Sequence, residues 1–335
     1  MTNQGRMNNS AGSPCVLLIS NRDNVHVGLV TEYFERWKVN FFRLNVDKYP
    51  KEITVSFDPI SGEGELKNSK GKNVLVQDIT SCWYYHLPEP NISSKIKGKS
   101  NREFAVGEAK AGLGGLWRIL DNRFWINHPK NLSAGALYKL KQLEVARKVG
   151  FEVPRSLVTN DPEVAERFFD NGFTKVILKM MGSPPEVRGM PHVFTTIVTR
   201  NDIQLNRDSI KLTPILFQEF IEKKFEMRIT IVGRDVFPAA LYTQDDPKAR
   251  VDWKLGKLTK FKHEKLDLPL DIKKKCLQFM ESLNLVYGAI DLIVTPEGKY
   301  FFLEVNPSGA WGWVEKRANL PVSESIARLL VRARI

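Results

Sequence analysis

The chain has 335 residues, 42% hydrophobic and 26% charged, the balance of a globular protein with room for two or three cores. Its net charge is +12; it has no apolar run long enough to cross a bilayer and no apolar core in its first dozen residues, which argues against a membrane span or a secretory signal. Three widely spaced cysteines, Cys15, Cys82 and Cys276, show neither metal-ligand spacing nor a disulfide framework, so a cytoplasmic protein is expected.

Residues 1–13 read as a polar, disordered lead-in. CVLLIS, from Cys15, is a continuous apolar run suited to a buried strand, NVHVGLVTEYFERWK a helix and VNFFRLN a second strand. That order predicts a parallel sheet covered by helices. Short strands are expected at EITVSF, NVLVQD and SCWYYH, then a glycine-loosened helix over NREFAVGEAKAGLGGLWRILD, with FWINHP leading into a loop. SAGALYKLKQLEVARKVG reads as a helix capped by Ser133 and ended by Gly150, with Leu137, Leu140, Leu143 and Ala146 or Arg147 along its periodic face. FEVPRSLVTN is extended, DPEVAERFFDNG begins as a capped helix, KVILKM is a short buried strand, and MGSPPEVRGMPH is a loop. PILFQEFI, EMRITIVG and DVFPAALYT follow as strands, and a helix over DIKKKCLQFMESLN precedes a final hairpin. The plan is α/β, then α+β, then a second sheet.

The hairpin AIDLIVTPEGKYFFLEVNP carries the most informative pattern. A turn centred between Glu297 and Gly298 sets Asp291 opposite Glu304, with Phe302, Glu304 and Asn306 on one face of the strand. Like charges opposed across a ladder destabilise a sheet. A lysine partner for one acid, or a divalent cation for both, removes the conflict; the D-x12-E-x-N arrangement favours the cation. Two carboxylates and an amide are hard oxygen ligands that Mg²⁺ accepts beside phosphate oxygens, which implies a nucleotide. The loops GxxxxGK[ST] and GxGxxG are absent, leaving lysines as candidates for the phosphates. Lys179 ends an apolar strand, where a lysine is unexpected unless it reaches an anion, and Lys139 lies on the predicted helix. FQEFIEK, Phe217 to Lys223, can offer a backbone N–H and C=O to a purine edge.

In this order and spacing the residues resemble the ATP-grasp superfamily of carboxylate–amine and carboxylate–alcohol ligases, from about Asn127 onward. The resemblance implies a pre-ATP-grasp α/β domain over 14–128, a central lid subdomain over 129–214 and a C-terminal ATP-grasp domain with the magnesium site over 215–335. It implies that Lys139 and Lys179 contact ATP, that Gln218, Glu219, Phe220 and Ile221 form the adenine-reading linker, and that Glu226 lies near the ribose or phosphates. Arg228 falls to the γ-phosphate or acyl-phosphate and, with Lys179, to catalysis; Asp291, Glu304 and Asn306 fall to magnesium.

A narrower resemblance is to the graspetide, or microviridin-type, peptide macrocyclases, through GSPPEVRGMPHVFTTIVT, QEFIEKKFEMRITIVG, ARVDWK and NPSGAWGWVEK. It implies ATP-driven joining of Glu or Asp side chains of a ribosomal precursor peptide to Thr or Ser hydroxyls or Lys amines, by a homodimer. The positive charge then matches an acidic core peptide. Ala310 stands where that family often has glutamine, and Lys254 where it often has arginine. Arg188, His192 and Arg250 are candidates for contacting the peptide. The alternatives are a glutamate or small-amino-acid ligase of the same superfamily and, in another class, a non-catalytic basic protein that binds nucleic acid. The last leaves the Asp291–Glu304 pair unexplained, and the chain lacks zinc-finger, RNA-recognition and helix-turn-helix signatures.

Overall fold

CVLLIS forms β1 (Cys15–Ser20), buried along its whole length as a central parallel strand covered on both faces must be. Asn24 caps the helix Val25–Trp37 by accepting the N–H groups of His26 and Val27. β2 (Phe41–Asn45) then runs parallel to β1. β3 (Ile53–Phe57), β4 (Gly64–Asn68) and β5 (Asn73–Leu75) make a separate antiparallel sheet. β6 (Ile79–Tyr84) and β7 (Phe124–Ile126) complete the parallel sheet in the order β2-β1-β6-β7. The helix between them, Lys99–Ile119, is continuous rather than loosened by its glycines. At Gly115 a Cβ would come within 3.1 Å of the Phe57 ring, so that glycine serves close packing. Residues 12–129 form one compact unit together with 323–335, which include most of the final helix Val322–Arg332. Ser81, fully buried, donates to the Leu330 carbonyl at 2.7 Å, and the Arg328 guanidinium lies over the Trp37 ring. This computed structural model describes residues 12–173, 175–182, 195–247, 249–257 and 260–335.

The second unit comprises residues 130–322. Ser133 lies in a π-helical turn, Leu132–Ala136, and donates to Lys130, so it is not the cap of the following helix. That helix starts at Lys139 and runs to Lys148, with Tyr138 making no capping side-chain bond. Leu137 and Leu140 are exposed; the buried face is Gln142, Leu143, Val145 and Ala146, a rotation of the expected stripe that buries an amide. Gly150 ends the segment at φ 91°.

β8 (Ser156–Thr159), β9 (Val176–Lys179), β10 (Thr196–Val198) and β11 (Ile215–Glu219) form an antiparallel sheet ordered β10-β9-β11-β8. Its apolar cluster joins Phe217 to Phe168, Ile203 and Ile210. Asp161 caps the helix Pro162–Phe168, and Thr199 and Asp202 form a capping box on Arg200–Leu205. β12 (Phe225–Val232), β13 (Asp235–Tyr242), β14 (Lys262–Lys265), β15 (Tyr287–Val294) and β16 (Tyr300–Asn306) build the last sheet, ordered β14-β13-β12-β15-β16. β12 and β15 are buried end to end. β4 and β14, GELKN and KHEK, are too polar to announce themselves as strands. The α/β, α+β and second-sheet plan is the expected one. Among the described residues no helix is long and apolar enough to cross a membrane.

Candidate active site

β15 and β16 do set Asp291 opposite Glu304, by an unexpected route. Nearest the turn the pairs are Val294–Tyr300, Ile293–Phe301 and Leu292–Phe302, one residue tighter than the centred turn predicts. Continued unbroken, that register would oppose Asp291 to Leu303. A bulge leaves Leu303 unpaired and restores Asp291 to Glu304. It also breaks the alternation along β16. Phe302 and Val305 are buried, Phe302 with its ring 4.7 Å from that of Phe279, whereas Leu303 and Glu304 both line a cleft. Phe302 therefore does not share a face with Glu304.

The cleft encloses about 260 Å³. Lys139 Nζ lies 3.1 Å from one Glu304 oxygen and Lys254 Nζ 2.8 Å from the other. Burial alone would push the Glu304 carboxyl up, but Lys254, Lys139 and Lys179 together hold it far below the usual carboxylate range. Burial lowers Lys179; Glu304 opposes that effect, while Lys139 and Lys254 add to it. Burial also works against the charge of Lys254, yet Glu304 and Asp291 outweigh it and hold that ammonium well above its ordinary value.

Arg228 Nη1 reaches both Asp291 oxygens, at 2.9 and 3.0 Å, and Nη2 donates to the Ala310 carbonyl at 3.4 Å. Burial disfavours this guanidinium's charge, but Asp291 raises its pKa on balance. The loop after β16 is pinned from the other side by Tyr287, whose hydroxyl donates to the Gly309 carbonyl at 2.5 Å. A Cβ at Gly309 would meet Arg228 Nη2 at 2.5 Å and the Ala289 Cβ at 2.7 Å. Both acids thus have cationic partners of their own, which is how the sheet tolerates the opposed pair. Deeper in the wall Lys223 pairs with Glu226 and donates to the Val251 carbonyl at 3.3 Å. Burial pushes the Glu226 carboxyl up to about 7, with Lys223 opposing.

The linker forms another wall. Gln218 is buried and its amide donates to Ser156 Oγ at 2.9 Å. The Glu219 N–H goes to the Arg155 carbonyl and the Phe220 N–H to that of Lys175. Among the described residues the Ile221 N–H has no partner. It borders apolar lining from Ile177, Met180, Ile293 and Leu303, a setting that accepts a flat heterocycle with one acceptor at its edge.

Lys139, Lys179, Gln218, Glu219, Phe220, Ile221, Glu226, Asp291 and Glu304 therefore line one cleft, as the sequence grouped them. Arg228 stands behind Asp291 and is not on the lining. Asn306 ends β16 opposite Ala289, its Oδ1 accepting the Ser308 N–H at 3.0 Å, and is also off the wall. Arg250 is tied to the Gln244 carbonyl at 3.1 and 3.2 Å, away from the lining. Arg188 and His192 lie outside the described residues. Lys223, Asp252, Trp253 and Lys254 line the cleft without having been assigned to it. Asp252 accepts from Thr195 Oγ1 at 2.9 Å and from the Lys254 N–H at 3.0 Å. The ARVDWK stretch was the available signal, but a run of charges does not say which lysine turns inward.

Residues 15–133 match the MvdD pre-ATP grasp domain and residues 136–330 the RimK-like ATP-grasp domain. The macrocyclase MdnC from Microcystis aeruginosa MRC, solved bound with precursor peptide MdnA, is 30% identical, with a TM-score of 0.82 and a match covering 95% of this chain and 99% of that one. The RiPP-associated ATP-grasp ligase of Chryseobacterium gregarium, in complex with ADP and a leader and core peptide, is 30% identical with a TM-score of 0.84, covering 95% and 97%. Macrocyclase MdnB from Microcystis aeruginosa MRC is 29% identical with a TM-score of 0.76, covering 95% and 99%. Comparison with curated proteins finds no match.

Proposed function

The chain belongs to the RimK-like ATP-grasp family, with an MvdD pre-ATP-grasp domain ahead of it, and from that premise we propose that this ATP-dependent ligase is a peptide macrocyclase. It activates Glu or Asp side chains of a ribosomally made precursor as acyl-phosphates and joins them to Thr or Ser hydroxyls or Lys amines. The observation that carries this reading is the convergence of Lys139, Lys179 and Lys254 on Glu304, beside Asp291, in a cleft also walled by Gln218 to Ile221.

A carboxylate is a poor acyl donor, and phosphoryl transfer to it needs positioning and charge neutralisation more than covalent help. Three ammonium groups around one carboxylate supply that neutralisation where a polyphosphate would lie. The Ile221 N–H would donate to the edge of the base, and the neighbouring apolar side chains would exclude water from its faces. Arg228, locked on Asp291 and the Ala310 carbonyl, orients that carboxylate. The carboxylates of Asp291 and Glu304 on the lining are hard oxygen donors that would hold Mg²⁺, and Asn306, off the lining, keeps the second lone pair of its amide oxygen free of its bond to Ser308. Mg²⁺ held by these residues would supply further neutralisation of phosphate charge. A precursor with a leader and an acidic core suits a chain of net charge +12. Arg188, His192 and Arg250 are the side chains proposed to meet the peptide, and a cytoplasmic homodimer is the proposed working form.

The test is mass spectrometry of an acidic precursor peptide from the same gene neighbourhood, incubated with the protein, ATP and Mg²⁺. Successive losses of single waters are expected, and none with Asp291→Ala or Glu304→Ala. ATP consumed with an amino acid added and no water lost would instead identify a small-amino-acid ligase. No ATP use would leave a basic binding scaffold.

A further inference from the structure

We infer that Gln142 is a positioning residue of this cleft: its side-chain amide takes the place of a missing neighbour strand on β16 and so fixes Lys139 against Glu304. The inference rests on reading the cleft as the ATP site. β16 is the outer strand of its sheet, and an outer strand presents unpaired N–H and C=O groups along its free side. Gln142 Oε1 accepts the Val305 N–H at 2.9 Å, and Nε2 donates to the Val305 carbonyl at 3.0 Å and the Ala136 carbonyl at 2.6 Å. Only a primary amide offers an acceptor and two donors in one planar group, and here all three are used.

Gln142 is 2% exposed, at a helix position where a leucine would fill the same space. Packing therefore does not require an amide there; its contribution is the bonds. Three residues earlier on the same helix face stands Lys139, and next to Val305 on β16 stands Glu304; the two meet at 3.1 Å. Among the described residues a further backbone tie along this edge, the Phe302 N–H to the Glu152 carbonyl at 2.8 Å, lies on the far side of the bulge. The end of β16 that bears the charges is held to the helix by Gln142.

The experiment measures Mg²⁺–AMPPNP binding by calorimetry on the full chain as wild type, Gln142→Met, Lys139→Met and the double variant, with melting curves alongside. Gln142→Met is expected to weaken binding about tenfold, and the double variant to bind no more weakly than Lys139→Met alone, because one residue acts through the other. Unchanged affinity in Gln142→Met, or losses that multiply in the double variant, would overturn the assignment. Gln142→Glu keeps the shape and the acceptor toward Val305 but turns an oxygen on both carbonyls; the same loss is expected from it, which keeps the test decisive if the methionine variant does not fold. A wild type that binds no AMPPNP would overturn the nucleotide reading of the cleft rather than the role of Gln142.

Discussion

Glu226 and Lys223 are buried together in the cleft wall, and a carboxyl raised to about 7 titrates near neutral pH. Its ordinary value is 4.5, so folding favours the protonated form. The stability this contributes is complete below about pH 4.5 and is lost as the pH rises to about 7, by on the order of 3 kcal/mol. Melting temperatures measured from about pH 5 to about pH 8 should fall for the wild type relative to Glu226→Gln. Parallel curves would mean that the carboxyl is not raised. The sequence marked Glu226 as a nucleotide contact but not Lys223 as its partner, because one lysine among many carries no sign of burial. Lys254 was hidden in the same way. Lys139, Lys179, Asp291 and Glu304 were legible because each is a charge set into an apolar or regularly spaced context, where its presence needs a reason.

At the scale of elements the hairpin is instructive, because its register came out right through two departures that cancel. The turn is one residue tighter than centring predicts, and the bulge at Leu303 adds that residue back. Neither is visible in KYFFLEVNP, since Leu303 suits a strand as well as its neighbours do. The extra residue gives the cleft an apolar side chain that a regular strand would not provide. Leu303→Ala should therefore weaken AMPPNP binding by about three- to tenfold with little change in melting temperature, since Leu303 is outside the core. A fluorescence titration showing wild-type affinity would place the base elsewhere. The helix before this sheet erred differently. Ser133 and the leucines at 137 and 140 imitate a cap and a buried stripe, but a π-helical turn intervenes and delays the helix to Lys139.

At the scale of the whole molecule the net charge of +12 acts at long range. Screening shortens that range from about 10 Å at 0.1 M salt to about 3 Å at 1 M. The KM for an acidic precursor should accordingly rise roughly tenfold across that interval, while the KM for ATP, held by close contacts, changes less. Equal salt dependence of the two would show that the general charge does not guide the peptide. The succession of parallel sheet, α+β region and final sheet was legible because strand and helix periods differ and each run is long. The destination of the last helix was not, for an amphipathic stripe shows that a face is covered without saying by what. That helix carries a consequence for synthesis. Ser81 emerges early from the ribosome, yet the carbonyl that receives its hydroxyl belongs to Leu330, so the part of the protein begun first is completed last. Trimming the final dozen residues would damage the amino-terminal unit and leave every strand of the final sheet in place.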